Sequence, residues 1–148
     1  MVFTPRKRIV RKFRFGLLVL LVFLNSTSVF ADSITGKQTP VSKMLSRARE
    51  MEDSDIHSSI ELLSIANQFQ ETNKKRHLKH EVLLRLSIYQ QQTGNFKSAI
   101  DFAYQSLLVA EQMNDHQRIG ETEKTIGLIF KDLKVYLKAR NYFERAMN

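Results

Sequence analysis

Residues 86–106 read LSIYQQQTGNFKSAIDFAYQS, and residues 126–146 read IGLIFKDLKVYLKARNYFERA. When the first stretch is shifted by forty residues, large apolar residues mostly fall on large apolar residues and small residues on small ones. The matched pairs are Leu86 with Ile126, Ser87 with Gly127, Tyr89 with Ile129, Phe96 with Tyr136, Ala99 with Ala139, and Ser106 with Ala146. A fixed offset of this size indicates an array of helical repeats.

The second stretch resembles a known family. Its spacing of small and aromatic residues is that of the second half of the tetratricopeptide (TPR) pattern, and the residues that carry it are Ile126, Gly127, Phe130, Ala139, Phe143 and Ala146. The resemblance implies an all-α fold: a right-handed solenoid of antiparallel helix pairs, about three repeats long, with the last repeat incomplete. An unrelated stack of helical hairpins is the alternative.

The small residues of the repeat have a packing explanation. We expect Gly127 and Ala139 to face each other where two antiparallel helices cross closely, with Phe130, Tyr136 and Phe143 filling the space around them. The chain departs from the family pattern at four positions: Glu123 in place of Trp, Lys134 in place of the turn Gly, Gln90 in place of an aromatic residue, and Ala103 in place of Phe. Its period is forty residues, where the usual TPR period is about 34, and this resembles the longer-helix TPR variants of signalling and regulatory proteins.

The chain divides into three predicted segments: a signal peptide at 1–31, a flexible leader at 32–40, and a TPR-like domain at 41–148. The repeats are predicted at 41–73, 77–114 and 116–148. The last two contain helices at 78–92, 96–112, 116–132 and 135–148, with a tight turn at Gly94. Residues 71–80 are predicted to form a corner. The turn Asp53-Ser54-Asp55 is predicted to supply a helix N-cap, and Asp115 to cap the helix at 116–132.

The first 31 residues have the layout of a secretory signal peptide. A basic head without acids precedes ten apolar residues at 15–24, and small residues end the segment at Val29 and Ala31. Because a membrane-spanning helix needs about 20 apolar residues, we expect cleavage after Ala31 and export to the periplasm or extracytoplasmic space. The alternative is an uncleaved anchor that tethers the protein to the membrane.

The signal segment also explains the basic composition. The chain has 23 basic and 15 acidic residues, a net charge of +8, but residues 1–31 hold six of the basic residues and no acidic one. The remainder has 17 basic against 15 acidic residues, a net charge of +2, so the composition argues against nucleic acid as a partner. Cysteine is absent, which excludes disulfides, thiol nucleophiles and Cys-ligated zinc.

No motif predicts catalysis, a cofactor or a metal site. His77 and His80 are three residues apart, but zinc needs three or four ligands in a fixed geometry, and we expect both rings on a solvated corner. The chain has no Gly-x-Ser-x-Gly motif and no phosphate-binding glycine loop. The basic run of Lys74, Lys75, Arg76 and Lys79 is interpreted as a solvated loop, with an anion or lipid-headgroup site as the alternative.

The remaining functional element is a surface. In TPR arrays the first helix of each pair lines a concave groove where partners bind. The resemblance places ten residues of this chain in such a groove: Glu81, Leu84, Ile88, Gln91, Gln92, Glu121, Lys124, Leu128, Lys131 and Asp132. Glu81 and Glu121 occupy equivalent positions, as expected where a solenoid presents successive repeats in a row.

The sequence therefore predicts a non-catalytic module that binds a protein or peptide partner. One alternative is the N-terminal sensory region of a larger membrane-bound signalling protein, a diguanylate cyclase or histidine kinase, truncated at Asn148. The least favoured is an enzyme that uses Glu81 or the two histidines. Because the last repeat lacks a polar closing helix, we also expect either a longer protein or self-association through the open C-terminal end.

Overall fold

The computed structural model describes residues 39–147. This part of the chain contains helices and turns and no strand, so the all-α prediction is confirmed for it. Its helices are α1 (Pro40–Met51), α2 (Ile56–Gln68), α3 (Gln70–Lys74), α4 (Arg76–Gln92), α5 (Phe96–Met113), α6 (His116–Asp132) and α7 (Tyr136–Ala146). The predicted signal peptide, and the predicted leader up to residue 38, lie outside the described residues.

Short polar side chains begin three of the helices. The Asp55 and Asp115 carboxylates accept hydrogen bonds from the Ser58 and Arg118 backbone amides at 3.0 and 3.1 Å, so both predicted caps are confirmed. The leader prediction was wrong at its end. Thr39 accepts from the Ser42 amide at 3.3 Å and Pro40 opens α1, because proline is well suited to the first helical position, where its missing N–H is not needed.

Two of the turns between paired helices need left-handed backbone. Gly94, between α4 and α5, has φ +77°, as the sequence predicts. Lys134 is its counterpart between α6 and α7, and it adopts φ +61° although it carries a side chain. Both turns are three residues long, which makes each pair an antiparallel hairpin.

The predicted corner at 71–80 was wrong in its extent. Residues 70–74 form the short helix α3, and α4 already begins at Arg76. Thr72 anchors α3, because its buried hydroxyl donates to the Ala66 carbonyl at 2.6 Å. His77 is exposed, but His80 lies one turn into α4 with only 1% of its surface accessible. The prediction that both histidines lie on a solvated corner is therefore wrong for His80.

Small residues lie where the paired helices cross. The Ser59 hydroxyl donates to the Ala48 carbonyl at 3.0 Å, and the Ser87 hydroxyl donates to the Ala99 carbonyl at 2.9 Å. In the third pair the ring of Phe143 crowds Gly127, as expected, and its Cε1 would lie 2.6 Å from an added Cβ, closer than any atom of Ala139. Tyr136 was also expected around this crossing, but it is 65% exposed. Phe143 occupies this space because its ring reaches over a backbone without a side chain.

The core of the described residues has two clusters. The first joins α1, α2 and α4 through Val41, Leu45, Ala48, Leu63, Ala66, Leu78, Val82, Leu86 and Tyr89. The second joins α5, α6 and α7 through Ala99, Ala103, Leu107, Ile126, Ile129, Phe130 and Ala139. The first cluster combines one helix pair with the first helix of a later pair. The second combines the last pair with the second helix of the pair before it. Within residues 39–147, no helix combines the length and apolar character that a bilayer span requires.

Candidate functional site

A cleft of about 300 Å³ lies along α4 and α6, with one contribution from α1. We call it the α4–α6 cleft. It is lined by Arg49, His80, Glu81, Leu84, Arg85, Ile88, Arg118 and Glu121. Four of the ten residues predicted for a groove, Glu81, Leu84, Ile88 and Glu121, are thereby brought together. Leu84 is 5% exposed and Ile88 half-buried, so they supply the apolar part of the cleft.

Ion pairs surround this cleft. Glu81 forms a salt bridge with Arg49 of α1 and lies 3.8 Å from Arg85 Nε. Arg85 also approaches Glu52 at 3.8 Å through Nη1, and Arg118 pairs with Asp115 at 3.0 Å. Because these charged groups are partly exposed, the pairs contribute little to stability. They place charges of both signs around an apolar centre.

His80 lies at the base of the cleft in a defined tautomer. Its Nε2 is 3.0 Å from the Thr122 hydroxyl oxygen, and that hydroxyl donates to the Arg118 carbonyl at 2.8 Å. The hydroxyl oxygen therefore accepts from the ring, which assigns the ring proton to Nε2. Burial lowers the pKa of His80, and the Arg118 guanidinium lowers it further. The ring is neutral at physiological pH.

Two polar atoms of the cleft have no hydrogen-bond partner in the described structure, His80 Nδ1 and Arg85 Nε. With the proton on Nε2, the histidine Nδ1 is a free acceptor, whereas the arginine Nε–H is always a donor. Buried polar groups are nearly always hydrogen-bonded, so each exception needs an explanation. An acceptor and a donor without partners therefore line the same cleft.

Tyr89 fixes one side of the arginine network. Its hydroxyl donates to the Glu52 carboxylate, which also faces Arg85. Burial raises the pKa of the Tyr89 phenol, and the hydrogen bond to Glu52 raises it further. The phenol therefore stays protonated and continues to donate.

The remaining predicted groove residues lie elsewhere along α4 and α6. The Gln91 amide donates to the Asp132 carboxylate at 2.7 Å, which joins the ends of the two helices. Leu128 is half-buried, and Gln92 and Lys131 are exposed. Lys124 lines a different cavity, of about 700 Å³, between α6 and α7, and Glu121 lines both cavities.

Sequence reasoning missed four residues of the α4–α6 cleft: Arg49, His80, Arg85 and Arg118. A usable signal existed for His80, which precedes Leu84 by four residues and therefore shares its helical face. The arginines could not be found this way, because their convergence depends on how α1, α4 and α6 pack.

Within residues 39–147 there is no grouping of three or more His, Asp or Glu side chains placed to hold a metal ion. The residues that line the cleft offer hydrogen bonds, ion pairs and apolar contact. Comparison of the chain with protein-family models, curated proteins and solved structures finds no match.

Proposed function

We propose that this chain is a non-catalytic, exported module of the TPR type that binds a peptide segment of a protein partner in the α4–α6 cleft. The observation that carries the proposal is that two buried atoms, His80 Nδ1 and Arg85 Nε, have no hydrogen-bond partner within residues 39–147 and lie beside the apolar Leu84 and Ile88. Export rests on the signal-peptide layout of residues 1–31, and the TPR-like solenoid rests on the forty-residue repeat.

The backbone of a peptide has the hydrogen-bonding groups that these two atoms lack. Each main-chain amide offers an N–H, which matches the His80 acceptor, and a C=O, which matches the Arg85 donor. Both protein atoms are shielded from solvent, so the side chains around them must shift for a peptide to reach them. An apolar peptide side chain would then cover Leu84 and Ile88, while Glu121 would select basic over acidic neighbours in the partner.

The test is selection of peptides from a random heptapeptide display library on the purified full chain. The affinity of the selected peptides is then measured by isothermal titration calorimetry for the wild type, for Ile88→Lys and for Leu108→Lys. Leu108 is a matched control, because it is apolar, 55% exposed and on the second helix of its pair. We expect Ile88→Lys to weaken binding at least about tenfold, or 1.4 kcal/mol, and Leu108→Lys to leave it unchanged.

The proposal fails if no selected peptide depends on Ile88, or if both lysine variants weaken binding equally. The second result would indicate non-specific charge effects. The alternative, a sensory region of a larger signalling protein, would use the same cleft for a ligand whose binding is transmitted onward. It is separated from the first proposal by whether the reading frame continues beyond Asn148.

A further inference from the structure

A second surface lies between α6 and α7, and it shares only Glu121 with the α4–α6 cleft. It encloses the cavity of about 700 Å³ and includes Gly120, Glu121, Lys124, Phe143, Ala146 and Met147. We call it the α6–α7 face. Met147 is 79% exposed, and Phe143 and Ala146 are half-buried.

The same surface exists one repeat earlier, where it is covered. Shifting Gly120, Lys124, Phe143, Ala146 and Met147 back by forty residues gives His80, Leu84, Ala103, Ser106 and Leu107. All five of these counterparts are buried, and Leu107 is only 7% exposed. They are covered by α6, which contributes Thr122 to the hydrogen bond with His80 and Ile126 and Ile129 to the cluster around Ala103 and Leu107.

The earlier repeat therefore indicates that a packed helix would cover the α6–α7 face. The first helix at the other end of the domain, α1, is not suited to this role. The outer side of α1 carries Lys43, Arg47 and Glu50, all exposed, at helical spacing. A head-to-tail stack of copies would press these charges against Phe143 and Met147, and burying charges in an apolar contact is costly.

The face itself is complementary to a second copy of the same face. Glu121 and Lys124 are exposed, one helical turn apart, and neither forms an ion pair with another residue of 39–147. When two α6 helices cross antiparallel about a two-fold axis, Glu121 of each copy meets Lys124 of the other. Isologous interfaces require such self-complementarity, in which residue i contacts residue j and j contacts i.

We propose that two copies of this chain associate tail to tail through the α6–α7 face, about a two-fold axis that crosses α6. Each copy covers Phe143 and Met147 of the other, in the way that α6 covers Ala103 and Leu107 within one chain. Glu121 is common to this face and the α4–α6 cleft, so dimer formation is measured in the absence of any peptide.

The test is sedimentation velocity of the full chain over a wide concentration range, with three variants and a control. We expect a monomer–dimer equilibrium. Met147→Glu and Lys124→Glu should each raise the dimer Kd at least about tenfold, and the swap Glu121→Lys with Lys124→Glu should bring it back to within about threefold of wild type. Leu137→Glu is the matched control, because Leu137 is 73% exposed on α7 but does not line the cavity.

Circular dichroism of each variant checks that the helices are retained. A wild-type chain that stays monomeric at all concentrations would overturn the proposal. So would a Kd unchanged by Met147→Glu, equal effects of Leu137→Glu and Met147→Glu, or failure of the charge swap to restore a dimer that Lys124→Glu weakens. Open-ended species in place of a dimer would also overturn it, because a two-fold contact closes.

Discussion

Gly127 is the position where one added methyl group has the most predictable effect. It lies within α6, and a Cβ there would meet Phe143 Cε1 at 2.6 Å, Cδ1 at 2.7 Å and Cζ at 3.1 Å. Alanine gains about 1 kcal/mol over glycine in helix propensity, whereas overpacking costs about 1–3 kcal/mol. Because three ring atoms are too close, we expect the packing cost to dominate and Gly127→Ala to destabilise by about 1 kcal/mol.

Gly120 provides the contrast on the same helix. An added Cβ there meets only the Ala146 carbonyl oxygen, at 3.2 Å, at the last residue of α7. The end of a helix moves more readily than the Phe143 ring, which packs against the second core cluster, so the propensity gain should prevail. We expect Gly120→Ala to be neutral or stabilising by up to about 1 kcal/mol.

The assay is urea unfolding at low micromolar protein, followed by circular dichroism, with a double-mutant cycle between Gly127→Ala and Phe143→Leu. Leucine removes the edge of the ring, so the double variant should be more stable than the two single changes predict, with a coupling of about 1–2 kcal/mol. A coupling near zero, or equal effects of the two glycine substitutions, would refute the assigned contact.

Three further predictions concern single side chains. Because burial lowers the pKa of His80, its stabilising contribution is complete above the unfolded value of about 6.5 and is lost as the pH falls below it; urea titrations should show a flatter pH dependence for His80→Gln than for the wild type. Lys134 adopts a left-handed φ of +61°, at the position that glycine occupies in the preceding pair. Because a side chain disfavours this conformation, thermal melts should show that Lys134→Gly is more stable than the wild type by about 1 kcal/mol. Ala139 is 3% exposed in the second core cluster, and Ala139→Leu should cost about 1–3 kcal/mol in urea unfolding; a loss below 0.5 kcal/mol would show that the crossing has room to spare.

The local structure follows from the sequence because its causes are local. Asp55 and Asp115 cap helices through amides three residues away, and Gly94 provides a left-handed turn. The helix predicted at 116–132, directly after Asp115, is α6 (His116–Asp132). Capping, turn chemistry and helical periodicity all act over fewer than about five residues, which is the range that a linear pattern reports.

The sequence also shows that side-chain sizes change together between the last two helix pairs. The chain has Ser87 with Ala103 in one pair and Gly127 with Phe143 in the next, so the larger partner accompanies the smaller residue. Phe143 was expected near Gly127, but it is the Phe143 ring and not Ala139 that lies closest to it, and the expected Tyr136 is exposed. The helical spacing gives the face of each residue but not how far a side chain on the neighbouring helix reaches.

The α4–α6 cleft could not be predicted from the sequence, because it forms only when distant helices pack together. Arg49, Arg85 and Arg118 come from three helices, and their convergence depends on the angles and separations at which α1, α4 and α6 pack. His80 was expected in solvent because the sequence around it is basic and polar. Instead α6 covers it, and the hydroxyl oxygen of Thr122, forty-two residues away, accepts a hydrogen bond from its Nε2. The sequence alone determined which segments form helices and where they turn, since those choices rest on neighbouring residues. Only the packing of distant helices decided which polar atoms became buried and left two of them without a partner.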